Sequence, residues 1–122
     1  MDNRIFEASF GKVSIIDNII VININEGYIF RANDLKELFD IFDTFFPNQK
    51  FGYLTNRVND YTIDLSPELY KAVHPNLTAI AAVCYNQASF KNAKFEKEFY
   101  KKGSFEAFTD FQEAVAWLKA HI

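Results

Sequence analysis

Two histidines and one cysteine are the side chains of this 122-residue chain that first invite a reading as base and nucleophile, or as ligands of a transition metal. Residues 77–85 read as an apolar strand, with His74 before its start and Cys84 at its end. Strand rise alone then separates the two by roughly 20 Å or more. Cys84 reads as a small buried hydrophobe, and His121, at the C-terminal end, as a solvated residue. Gly11, Gly27, Gly52 and Gly103 are isolated, so they build no phosphate-cradling loop. These placements lead us to expect no catalytic residues, no metal and no cofactor, and a non-enzymatic role.

The densest run of hydrogen-bonding side chains is Thr55, Asn56, Arg57, Asn59, Asp60, Tyr61, Thr62 and Asp64. It follows a strand expected near the middle of a sheet, and ligands of open α/β sheets gather outside the carboxyl ends of strands. Ser66-Pro67-Glu68 comes next as a helix start: a serine at the cap, proline in the first helical position and an acid near the positive end of the dipole. The candidate binding residues are therefore Asn56, Arg57, Asp60, Tyr61, Asp64 and Ser66. The plainer reading is a solvated connection followed by a capped helix.

The elements that must position this stretch are two strands, residues 51–55 and 77–85. Neither alternates cleanly, which predicts that both are covered on two faces, lie parallel and are joined by the helix from Ser66 to about His74. Ahead of them, residues 4–10, 12–16 and 19–24 predict an antiparallel meander turning at Gly11 and Asp17-Asn18, with the short, lysine-bearing second strand at an edge. A first helix is predicted from Asn33-Asp34 to Pro47, with Asp34 and Glu37 as a capping box and Leu35, Leu38, Phe39, Phe42, Phe45 and Phe46 as its apolar stripe. A helix over 88–102 should bury Ala88, Phe95 and Phe99 and expose the lysines at 91, 94, 97, 101 and 102, partly offset by Glu96 and Glu98. A strand at 104–108 and a helix opened by a Thr109-to-Gln112 capping box close the chain, with Phe111, Ala114, Val115 and Leu118 buried and Trp117 at the core's margin. The whole is one α/β domain over 1–122: a mixed sheet and about four helices.

Fourteen phenylalanines mean a core built of rings or an apolar groove lined by them. A net charge of −3 gives no general attraction to nucleic acid or anionic membranes. No run approaches the roughly 18 apolar residues of a membrane span, and Met1-Asp2-Asn3-Arg4 does not begin a secretory signal. With a single cysteine, this predicts a cytoplasmic protein.

At Asp64-Leu65-Ser66-Pro67, and again over the run from Phe108 to Leu118, the chain resembles the STAS-like superfamily, which includes the anti-sigma factor antagonists and an uncharacterised stand-alone branch. The resemblance implies a strand, a loop and a turn at a helix N-terminus where a partner kinase phosphorylates a serine. Asp64 matches the aspartate of that turn and Ser66 the phosphoacceptor. Leu65 and Pro67 stand where the antagonists have serine and glycine, and Thr55 where they have aspartate. The closing Phe-x-Asp-x-x-Glu-Ala-x-x-Trp-Leu pattern is closer to the uncharacterised branch. The expected function is a regulatory module meeting a protein partner through the loop at 56–66 and the helix after it. The alternative is a carrier holding an apolar, lipid-like small molecule between Phe39, Phe42, Phe46 and the sheet. Exposed aromatics would support a homodimer.

Overall fold

A computed structural model of the chain describes residues 4–64, 74–100 and 103–122. Eight strands and three helices are formed there: β1 (Arg4–Ala8), β2 (Gly11–Ile16), β3 (Ile19–Ile24), β4 (Ile29–Phe30), α1 (Ala32–Phe45), β5 (Phe51–Arg57), β6 (Thr62–Ile63), β7 (Leu77–Cys84), α2 (Gln87–Phe99), β8 (Ser104–Phe108) and α3 (Phe111–His121). Three helices stand among the described residues against the expected four or so. The helix predicted from Ser66 lies outside the described residues.

Six strands form one sheet in the order β1-β2-β3-β5-β7-β8. The meander β1-β2-β3 is antiparallel, whereas β3-β5, β5-β7 and β7-β8 are parallel. The predicted parallel pair is thus central. The predicted edge is corrected: β1 is the edge and β2 lies inside, paired on both sides. Val13 and Ile15 are its inward residues and are buried, so one lysine did not mark the exposed border. A second, two-stranded sheet pairs β4 with β6 in parallel; both strands have two residues, too short for a period to reveal them.

Both faces of the central strands β3, β5 and β7 are covered, as their continuous apolar runs require. On one face Phe10, Val13, Ile20, Ile22 and Phe51 pack with Leu38, Ile41 and Phe42 of α1. Farther along that face, Ala82 and Cys84 meet Ala93 of α2. On the other, Ile19, Val21, Leu54, Ala79, Ala81 and Val83 pack with Ala114 and Leu118 of α3. Gly52 lets α3 lie close on β5: a Cβ there would stand 3.0 Å from Ile122 and 3.1 Å from Leu118.

The helix ends are shifted from their predicted places by the hydrogen bonds that cap them. Arg31 is the N-cap of α1, and Asp34, in the third helical position, accepts from the Arg31 backbone N–H at 2.9 Å. Asp110, not Thr109, caps α3, accepting from the N–H groups of Gln112 and Glu113. In α2 two of the three residues expected to be buried are not, and the side chain of the third, Phe99, lies outside those described. Ala93 is fully buried and Phe90 packs beside it, while Ala88 is exposed and Phe95 is 54% exposed.

Candidate functional site

Inward-facing positions of β5 alternate Phe51, Tyr53, Thr55 and Arg57, which carries a guanidinium to the carboxyl end of the strand on the face that α2 covers. There Arg57 is 7% exposed. Glu96, two turns into α2, meets it in a bidentate pair, with Nη1 donating to Oε2 at 2.6 Å and Nη2 to Oε1 at 2.8 Å. The Arg57 Nε–H is buried without a hydrogen-bond partner. Tyr61 lays its ring 5.8 Å from the guanidinium, and its hydroxyl lies 3.1 Å from the Thr55 hydroxyl.

Electrostatics around this pair follow from burial. Burial works against the charge of Arg57, but Tyr61 and the hydrogen bonds and charge of Glu96 outweigh it and raise the guanidinium pKa. Burial pushes the Tyr61 phenol up, opposed by Arg57 and the Thr55 hydrogen bond. Tyr53 is raised too, again first by burial. Cys84, on the neighbouring strand, is likewise raised by burial and remains a thiol.

The raised tyrosines give a pH prediction. A phenol whose folded pKa lies above its unfolded value of about 10 contributes stability that is complete below pH ~10 and is lost as pH rises beyond it. In an alkaline titration, the phenolate absorbance of Tyr53 and Tyr61 should therefore appear together with loss of the far-ultraviolet dichroism. Ionisation of every tyrosine while the dichroism stays native would contradict their placement.

Arg57, Asn59, Asp60, Tyr61 and Thr62 form one wall of a crevice of about 290 Å³; Asn86, Ser89, Asn92, Phe95 and Glu96 form the other. The loop is held by hydrogen bonds while Val58, Asp60, Thr62 and Asp64 stay exposed. The Asn59 side chain donates to the Ile24 carbonyl at 3.0 Å, the Asp60 carbonyl accepts from the Gly27 N–H at 2.7 Å, and the Asp60 N–H donates to the Glu26 carboxylate. Of the residues expected to bind, Arg57, Asp60 and Tyr61 are brought together here. Asn56, facing the other way on β5, accepts from the Tyr85 hydroxyl at 2.6 Å, and Asp64 donates its backbone N–H to Phe30. Ser66 lies outside the described residues.

The wall supplied by α2 was missed, although Ser89, Asn92 and Glu96 recur at helical spacing and form a polar stripe. Reading Glu96 only as an offset to the lysines hid its role. His74 stands far from the crevice, at the amino end of β7. It is buried among the rings of Phe39, Phe42 and Phe51, with Nε2 2.7 Å from Asp43 Oδ1 and Nδ1 accepting from the Asn76 N–H. His121 bonds the Trp117 carbonyl through Nδ1. Among the described residues no group of three or more His, Cys, Asp and Glu side chains could hold a metal ion. Nor is any helix there long and apolar enough to cross a membrane.

Over 96% of its length the chain is similar to a solved structure, an uncharacterized protein of the DUF3478 family with a SpoIIAA-like fold from Shewanella loihica PV-4. The TM-score is 0.60, the identity 12%, and 92% of that chain is covered. The likeness shows a SpoIIAA-like, and so STAS-like, fold. No family model matches the chain, and no curated protein matches it either.

Proposed function

We propose that the chain is a non-enzymatic, cytoplasmic regulatory module that binds a segment of a protein partner in the crevice between residues 57–63 and α2. One observation carries this reading: a buried, internally neutralised ion pair forms the base of a crevice with amides and hydroxyls on its walls and exposed apolar side chains beside it. Val58 is 52% exposed and directly follows Arg57 at the end of β5. Phe95, 54% exposed, stands on the opposite wall. Aromatic and aliphatic anchors around satisfiable polar groups are the make-up of a protein interface core. The position at the carboxyl ends of parallel strands agrees with it.

The carrier reading draws less support. Phe42 tilts against Phe51 and Phe46 stacks on it, at ring-centroid distances of 4.7 and 5.2 Å, so the rings between α1 and the sheet pack on one another.

Site-specific photocrosslinking in the producing cells tests the proposal. A benzophenone side chain replacing Asn92 should give a discrete protein adduct, whereas the same group replacing the exposed Glu7 of β1 should not. An adduct from Glu7 alone, or a small molecule retained by the purified chain in native mass spectrometry with no adduct at Asn92, would overturn it.

A further inference from the structure

A second depression opens on the opposite flank of α2. It is a mainly apolar groove of about 430 Å³, bounded by Cys84 and Tyr85 at the end of β7, by Gln87, Phe90 and Lys91 on α2, and by Thr109 before α3. Lys91 and Lys94 stand along its outer border, and Lys94 Nζ lies 5.2 Å from the centroid of the Phe90 ring. Lys97, one turn on, is joined to Glu106 at 3.1 Å. Lys91 has no ion-pair partner among the described residues. Five of the chain's ten lysines fall between residues 91 and 102, although the whole chain carries −3. Of these, Lys91 lines the apolar depression and Lys94 stands over its Phe90 ring. The nearest acid on the groove's far side, Asp110, has its carboxylate engaged by the N–H groups that open α3.

We infer that this groove docks an acidic amphipathic segment of a partner protein, an apolar side chain entering between Tyr85 and Phe90 while flanking carboxylates meet Lys91 and Lys94. Charge complementarity selects the occupant: a basic segment would be repelled, and a purely apolar one would leave Lys91 without an ion-pair partner. Concavity argues against a membrane surface, since a bilayer cannot follow a depression between a helix and a loop whereas a single side chain can fill it. The groove and the crevice open on opposite flanks of α2 and share only Asn86, its N-cap.

The probe is a short fluorescein-labelled peptide in which leucine and glutamate alternate, compared with its lysine-for-glutamate counterpart. Fluorescence anisotropy should show saturable binding of the glutamate peptide only, weakening as salt is raised. The double charge reversal Lys91→Glu with Lys94→Glu should lower affinity at least tenfold. Thr109→Trp, at an exposed position that fills the groove, should do the same, while Lys12→Glu on β2 should leave binding unchanged. Circular dichroism of each variant separates lost binding from lost folding. Equal binding of the two peptides, or full affinity in both groove variants, would overturn the inference. So would saturable binding to phosphatidylglycerol vesicles without peptide binding, or self-association abolished by the lysine reversals, which would make a second copy the occupant.

Discussion

Replacing Glu96 by alanine should destabilise the fold by about 3–5 kcal/mol, the cost of leaving one member of a buried ion pair without its partner. The side chains of Arg57 and Glu96 are 7% and 14% exposed, so solvent reaches the pair only from the crevice side. Arg57 cannot escape by losing its proton. Its Nε–H is already without an acceptor, and the alanine variant would strand both Nη groups as well. Glu96→Gln keeps one acceptor and loses the charge, and its cost should be smaller, about 1.5–3 kcal/mol. The double replacement Arg57→Met with Glu96→Leu should return to within about 1–2 kcal/mol of the parent, because apolar side chains of similar volume serve a buried position as well as an ion pair does. Equilibrium urea denaturation of the four proteins measures all three values. A loss under about 1 kcal/mol for Glu96→Ala would place the pair in the class of solvent-screened surface bridges. Recovery in the double variant would show that stability does not explain the pair. The natural chain would then keep a charged crevice base for what it contacts.

The same pair shows where the sequence was legible and where it was not. Parallel pairing of β5 with β7 was readable because both strands lack a period-two alternation, a property imposed by helices on both faces. The carboxyl end of β5 followed as a candidate site by topology alone. Glu96, by contrast, lies 39 residues from Arg57, and nothing local distinguishes an acid that turns inward from the acids and lysines around it. Only the stripe Ser89, Asn92, Glu96 carried that information, and it competed with a stronger-looking lysine pattern on the same helix. The misplaced face of α2 has the same origin. Phe95 was assigned to the core because it shares a helical face with Ala88 and Phe99 opposite the lysines, whereas the small Ala93 is what packs against Ala82 and Cys84. The cap positions missed by one to three residues because Arg31 and Asp110 both neighbour other polar residues, and only backbone geometry separates a cap from its neighbour. The edge strand was misjudged for a related reason: one exposed lysine on β2 satisfies a solvent-facing position equally well inside a sheet whose other face is buried.

Phe42→Ala should have an effect as large as the loss of Glu96, about 3–5 kcal/mol, by a different mechanism. Phe42 is completely buried, and its ring lies 4.7 Å from Phe51, 5.7 Å from Phe39, 5.8 Å from Tyr53 and 5.5 Å from His74, centroid to centroid. Alanine removes the ring on which these four converge. The surrounding helix and strand are fixed by other contacts and can close the space only in part, so an apolar cavity should remain. Such a cavity binds benzene, and binding to the folded state alone raises thermal stability in proportion to the logarithm of ligand concentration. Saturating benzene should therefore raise the Tm of the Phe42→Ala variant and leave that of the parent unchanged. This contrast bears directly on function. A protein that holds an apolar molecule between α1 and the sheet needs that space in its natural form, and a parent chain stabilised by benzene would restore the carrier reading at the expense of the crevice. A parent chain that ignores benzene while its alanine variant takes it up would show that the phenylalanines are the filling of the core, and would count against the carrier reading and in favour of the proposed crevice.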